Sequence, residues 1–189
     1  GGDSKYHDKW KEVAPVPLAF DSNSYVPVVD DNIKFDVCFI GGWANNGFDE
    51  KRKIMLEYFK YFKDSGLKCG FFINKSLTHK QENAILYNSK VTINIHDAYQ
   101  RALGLDTNER TFKSLGTNGI LVSDNIKQIR DLNLGASITE NSKDMVDAVR
   151  FLTQEIDSTV LESMRQDNIK NILKSHTYIE RVNAMLSLK

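Results

Sequence analysis

The sequence reads as an α/β domain built of three layers, α/β/α, around a mostly parallel sheet of about five strands. Three observations predict this. Short apolar runs alternate along the chain with stretches of helical periodicity. The runs are rich in Val, Ile or Phe, and all but the last are bounded by Gly, Asn or Asp, which marks buried strands. Strand alternating with helix demands right-handed crossovers, which cover both faces of the sheet with helices. The layout is Rossmann-like.

The elements follow in order. Residues 1–33 hold all three prolines, Pro15, Pro17 and Pro27, with Asp21-Ser22-Asn23-Ser24 between them. Proline fixes φ and removes a donor, so this stretch is expected to be extended and irregular, an arm or linker laid over a domain at 34–189. The strands are expected at Phe35–Ile40, Lys68–Ile73, Val91–Ile95, Gly119–Val122 and Ala136–Ile138. Helical spacing covers Asp49–Ser65, where Ile54, Tyr58, Tyr61 and Phe62 share a face and Gly66 suits the position after the helix. Thr78–Asn88 opens on a Thr with Gln81 three residues later, the pattern of a capping box. Further helices are expected at Thr107–Leu115, Ser142–Glu155, Leu161–Lys174 and His176–Leu188.

Composition narrows the function classes. The chain has 189 residues, 25 basic and 25 acidic side chains, and 41% apolar residues. A unit of this size buries roughly 70% of its unfolded surface and needs no disulfide or metal to fold. Zero formal charge argues against a nucleic-acid binder held by bulk charge. No window approaches the roughly 18 apolar residues of a membrane span. The polar start, Gly-Gly-Asp-Ser-Lys, reads as no secretory signal, so a cytoplasmic location is expected. Cys38 and Cys69 both lie in strand-like runs and read as buried thiols. The four histidines are far apart and no ligand spacing is present, so no metal site is expected.

Ligands of a parallel sheet bind outside the carboxyl ends of its strands. That rule selects the loops at 41–48, 74–78, 96–108 and 123–128. The first begins Gly41-Gly42-Trp43 and leads into a helix. Glycines let backbone approach a ligand, and free amides at a helix start suit a phosphate. A tight turn with Trp43 packed as a lid fits equally. The loop is neither Gly-x-Gly-x-x-Gly nor a Walker loop, which disfavours a dinucleotide oxidoreductase and a P-loop ATPase. Lys51 and Arg52 in the following turn add positive charge near a phosphate, or are solvated helix charges. His96, at the end of the third strand, suits proton transfer or a sugar hydroxyl, or is a loop histidine bonded to backbone. A polar stretch with Tyr99, Gln100 and Arg101 reads as a mobile cover for a site.

The most informative stretch runs Asn108-Glu109-Arg110-Thr111-Phe112-Lys113-Ser114-Leu115-Gly116 and continues to Asp124. An arginine beside a helix N-terminus is well placed for a pyrophosphate. The plainer reading is a capped helix with a Glu109–Lys113 surface pair. Gly116 and Gly119 are expected to let the helix pack closely on the next strand.

This stretch resembles the Asn-x-Arg-Thr-Phe-Glu signature of the spore-maturation CgeB-like glycosyltransferases, of the glycosyl transferase group 1 and two-domain GT-B type. Four further pieces agree in order: Pro17-Leu18-Ala19-Phe20-Asp21, Phe35 to Gly42, Asn94-Ile95-His96, and Ser175-His176-Thr177-Tyr178 with Arg181. The resemblance implies the C-terminal, donor-binding half of such an enzyme. It implies a nucleotide-diphosphate sugar as donor substrate, with no permanently bound cofactor and no metal. Gly41, Gly42 and Trp43 would line the phosphates or sugar, and Arg52 and Arg110 would neutralise the diphosphate. Asn108 and Glu109 would line the same site, and His96 would be catalytic, near the transferred sugar. Lys113 stands where the family has the Glu that holds the ribose hydroxyls, and an ammonium cannot accept hydrogen bonds. Glu109, one turn earlier, is the substitute on offer; the alternative is a non-catalytic glycosyltransferase-like binding module. The implied partner is an N-terminal Rossmann-like domain of the same parent chain, with residues 1–33 as the connection. Nucleic-acid and transmembrane partners are not expected. A response-regulator-like domain wants clustered acidic residues after the first strand, and Gly41-Gly42-Trp43 lacks them.

Overall fold

Parallel neighbours in a sheet need a crossover, and helices supply each one in this chain. The computed structural model describes residues 16–43 and 50–187. Five strands form one parallel sheet: β1 (Phe35–Gly41), β2 (Cys69–Ile73), β3 (Ser89–Asn94), β4 (Leu121–Asp124) and β5 (Ser137–Thr139). Their spatial order is β2-β1-β3-β4-β5. The helices are α1 (Glu50–Lys63), α2 (His79–Asn88), α3 (Ala98–Leu103), α4 (Glu109–Thr117), α5 (Lys127–Asp131), α6 (Ser142–Arg150), α7 (Ser158–Ser175) and α8 (Tyr178–Ser187). A π-helical turn at Phe151–Glu155 continues α6. No described helix is long and apolar enough to cross a membrane.

Strand alternation divides the core. Val37 and Phe39 of β1, Val91 and Ile93 of β3, and Val122 of β4 pack against Met55, Tyr58 and Phe62 of α1 and Met145 and Val149 of α6. The opposite face turns Cys38 toward Ile85 and Leu86 of α2. There Leu121 of β4 meets Phe112 and Leu115 of α4 and Ile172 of α7. The five expected strands are present, with β3 and β4 shifted by about two residues from their apolar runs. Thr78 and Gln81 form the expected capping box, and Gly66 takes φ +76° after α1. Cys38 is buried and Cys69 half-buried, both as free thiols. Burial pushes the Cys38 thiol up to about 12.

Three expectations change. Tyr61 is not on the buried face of α1 but nearly half exposed; Met55 takes that place. The polar stretch at Tyr99–Arg101 is the helix α3, capped by Asp97 and Gln100 and docked by Arg101, not a loose cover. Gly116 and Gly119 admit other neighbours than the next strand. A Cβ on Gly116 would lie 2.6 Å from the Phe20 ring, and one on Gly119 would lie 2.4 Å from the Arg165 carbonyl oxygen of α7.

The described part of the N-terminal segment, 16–33, carries no regular element but is bound along the α2/α4/α7 side. Phe20 N–H donates to His176 O, and Tyr178 N–H donates to Phe20 O. Arg181 donates to the Pro17 carbonyl, and Asn88 donates to the Val28 carbonyl. Phe20 and Tyr25 are buried core residues, so packing does not break at residue 33. Residues 1–15 lie outside the described residues, as does the stretch 44–49 of the first loop.

Phe20→Ala empties a ring-sized site against Gly116 and is expected to lower stability by about 3 kcal/mol. Urea unfolding followed by circular dichroism measures this, and a loss under about 1 kcal/mol would show that the segment merely rests on the domain.

Candidate functional site

A doubly wound sheet reverses direction where consecutive crossovers leave on opposite sides, and ligands bind at that point. Here the reversal lies between β1 and β3, since β2 flanks β1 on the other side. Gly41 ends β1 and Asn94 ends β3, so the two meet at one crevice.

Arg110, in the first turn of α4, reaches across this crevice. Its Nε donates to the Ile40 carbonyl at 2.6 Å, and its Nη1 donates to Asn94 Oδ1 at 2.8 Å. The guanidinium lies 4.4 Å over the Phe39 ring. A Cβ on Gly41 would stand 2.1 Å from Nη2, so only glycine leaves the guanidinium its place. Burial pulls Arg110 down to about 10, opposed by the charges of Asp124 and Glu82. It remains charged at neutral pH. Lys51, half-buried at the start of α1, is also lowered, by burial first and then by the charge of Arg110. Two cations thus press on each other at the end of β1, a field that favours an anion between them.

A cavity of about 220 Å³ opens here, walled by Gly41, Arg110, Asn108, Glu109, Glu82 and Lys113. Asn108 begins α4 but makes no side-chain cap, and its buried Oδ1 has no partner among the described residues. Lys113 Nζ sits 3.4 Å from the Glu82 carboxylate and 3.7 Å from Glu109, over the Tyr25 ring at 4.8 Å. Tyr25 donates to Glu82 at 2.7 Å. A larger opening, about 420 Å³, lies between α1 and α6 near Lys60, Asp64 and Asp147. It sits by the C-terminal end of α1, away from the carboxyl ends of the strands, and lacks a convergent buried cation.

Each expected residue has a definite place. Gly41, Asn108, Glu109, Arg110 and Lys113 share the cavity. Gly42 and Trp43 follow β1; Trp43 N–H donates to Asn74 Oδ1. Arg52 is exposed and stacks 5.5 Å over Trp43 rather than beside Arg110. Lys51, its neighbour in α1, is the residue whose ordinary value is lowered by the Arg110 charge after burial. His96 is fully buried, which takes its ring out of direct reach of a ligand in this conformation. Its Nδ1 and backbone N–H both meet Asp124, and its Nε2 lies 2.9 Å from Thr107 Oγ1 and 3.2 Å from Asn94 Nδ2.

Asp124 anchors this buried set. Burial acts to raise its carboxyl, but hydrogen bonds from His96 and the charge of Arg101 outweigh that and hold it below the usual carboxylate range. Arg101 Nε reaches Asp124 at 2.8 Å and Nη2 reaches the Tyr58 hydroxyl at 3.2 Å. Sequence reading missed Asn94, Asp124 and Glu82 as members of the site. The strand ends of β3 and β4 pointed to the first two, because polar side chains at the carboxyl ends of buried strands need partners. Nothing local marked Glu82.

Known proteins bear on this arrangement. No curated protein is significantly similar to the chain. Among solved structures, an α,α-trehalose-phosphate synthase (UDP-forming) from Burkholderia xenovorans, in complex with glucose-6-phosphate, superposes with TM-score 0.54 at 14% identity, over 80% of this chain and 35% of its own. An α,α-trehalose 6-phosphate synthase from Burkholderia multivorans gives TM-score 0.53 at 11% identity, over 79% and 34%. At these identities the likeness is one of fold, and the chain spans about a third of the length of either structure. The five parallel strands with helices on both faces are the Rossmann-like fold expected above. Residues 34–187 match the glycosyl transferase-like family across β1 to α8, and the chain belongs to that family.

Proposed function

We propose that this chain is the donor-binding domain of a glycosyltransferase, taking a nucleotide-diphosphate sugar in the crevice between β1 and β3. The observation that carries the reading is Arg110, a half-buried guanidinium laid over Gly41 with its Nη2 free of partners among the described residues. Lys51 and the amides of the first turn of α4 add to the same field. Family membership supports sugar transfer in general. The first of the two solved relatives is a UDP-forming synthase, which agrees with a nucleotide-diphosphate leaving group. In transfer the sugar–oxygen bond breaks and its electron pair stays on the diphosphate. Cations already in position stabilise that growing charge without reorganising.

On this reading the acceptor site lies in an N-terminal Rossmann-like half of the parent protein, and the domain works in the cytoplasm with no metal or resident cofactor. The CgeB-like subgroup, with its Asn108-Glu109-Arg110-Thr111-Phe112 signature, is the branch we favour. Lys113 favours one second reading. Its ammonium is held by Glu82 and Glu109 where the subgroup has a carboxylate, which suits a module that binds without turnover.

Titration calorimetry with uridine, guanosine, adenosine and thymidine diphosphates and their glucose conjugates tests the proposal. One ligand is expected to bind at micromolar strength, weakened at least tenfold in Arg110→Ala, about 1.4 kcal/mol or more. No binding at millimolar ligand, in a chain that includes whatever precedes Gly1 in the parent protein, overturns it. Turnover of the bound sugar conjugate separates the enzyme from the binding module.

Gly41→Ala provides an independent check. The new methyl group is expected to push the guanidinium aside, cutting affinity roughly tenfold while the thermal melt stays within a few degrees of the parent. Unchanged affinity would remove Arg110 from the ligand.

A further inference from the structure

We propose that Asn94 and His96 are positioning residues that form a proton-ordered clamp, fixing Arg110 so that Nη2 faces the ligand. The proposal rests on the reading that Arg110 meets a diphosphate.

The clamp follows from which atoms can donate. A guanidinium only donates and a carboxylate only accepts. Arg110 Nη1 at 2.8 Å therefore requires the oxygen of the Asn94 amide, not its nitrogen. Asp124 Oδ1, 2.7 Å from His96 Nδ1, therefore requires a proton on Nδ1. The two ends are fixed independently, and they agree in the middle. With its oxygen on Arg110, Asn94 turns its amide nitrogen toward His96 Nε2 at 3.2 Å and Thr111 Oγ1 at 2.9 Å. With its proton on Nδ1, His96 offers a bare Nε2 to receive that nitrogen.

The hydroxyls close the ring. Thr107 lies 2.9 Å from Nε2 and 2.7 Å from Thr111 Oγ1. Thr107 donates to Nε2, Thr111 donates to Thr107, and Asn94 donates to Thr111. In the neutral ring the single lone pair of Nε2 is then shared between Thr107 and Asn94. Reversing the amide would set NH2 against the guanidinium and an oxygen against the bare Nε2, two repulsions in a fully buried setting. The tautomer of His96 thus selects the amide orientation, and the amide selects the pose of Arg110.

Two features extend the clamp. Ile40 takes Arg110 Nε, so Nε and one Nη1 proton are held while Nη2 is left over Gly41. Arg101 takes the other oxygen of Asp124 and ties α3 to the same chain of bonds. His96 accordingly acts through Asn94 and not on the sugar.

The test uses the full chain, uniformly labelled with nitrogen-15. Long-range nitrogen–proton correlation at neutral pH, with His96 assigned by its loss in His96→Gln, is expected to show a proton on Nδ1 and none on Nε2. A proton on Nε2 instead overturns the clamp, and this readout needs no variant to be functional. In Asn94→Asp the amide donor is gone while the oxygen for Arg110 is kept, and Nε2 is expected to gain a proton; an unchanged imidazole signal overturns the coupling. In Asn94→Ala the Arg110 Nε proton is expected to exchange about tenfold faster and the nucleotide diphosphate found by calorimetry to bind about fivefold more weakly. An exchange rate equal to the parent's overturns the proposal. If no nucleotide diphosphate binds, the functional reading fails while the tautomer and the exchange rate still decide the clamp. If one binds and His96 carries its proton on Nε2, the clamp alone fails.

Discussion

A half-buried guanidinium that touches no carboxylate among the described residues is expensive to keep, and the candidate site is organised around one. Arg110 leaves water for two oxygen acceptors and the face of Phe39. Asp124 and Glu82 assist only through their charge. Desolvation of this kind is tolerated when the remaining donors are filled on demand by a ligand. The arrangement explains why Gly41 carries no side chain and why Asn94 is fully buried at a strand end. Remove the cation and neither of these has a reason.

The sheet order makes that cluster possible. Because β2 and β3 flank β1 on opposite sides, helices α1 and α2 leave β1 and β2 on opposite faces and open a gap at the ends of β1 and β3. Helix α4 then drops its first turn into that gap, carrying Arg110 to the Ile40 carbonyl from 70 residues further along the chain. The N-terminal segment supports the same helix from behind, where Phe20 lies against Gly116 and Tyr25 against Lys113. Its burial is a packing requirement of α4, whatever precedes it.

What could be read from sequence divides along the range of the interactions. Strands and helices were legible because period and capping are local: Thr78 with Gln81, Gly66 after α1, the Val-rich run that becomes β3. Arg110 was legible because a helix start after a polar loop announces itself. Asn94 was quoted only as part of a motif, since its role depends on Thr111 and Arg110, elements it meets only after folding. Glu82 carried no local sign at all; it joins the site because α2 lies beside α4 and brings its carboxylate to Lys113. The placement of Arg52 depends on the fold in a related way. Its turn was right, but the 100° rotation between Lys51 and Arg52 sends one toward Arg110 and the other onto Trp43.

Lys113 is where local and tertiary logic meet. Read alone, an ammonium in place of a carboxylate removes the acceptor that ribose hydroxyls need. On the reading proposed above, the fold supplies a carboxylate all the same, because Glu82 arrives from another helix. That carboxylate accepts a hydrogen bond from Tyr25 at Oε2 and lies 3.4 Å from Lys113 Nζ through both oxygens, and a carboxylate has about four acceptor positions. On the reading proposed above, about one acceptor position remains for a ribose hydroxyl. The lysine then holds the carboxylate in place instead of competing with the ligand for it, and Tyr25 makes the N-terminal segment a partner in the same hold. On the reading proposed above, the exchange of Glu for Lys at this position moves the acceptor from α4 to α2 and leaves the chemistry of the cavity, a cation at one end and a carboxylate at the other, unchanged.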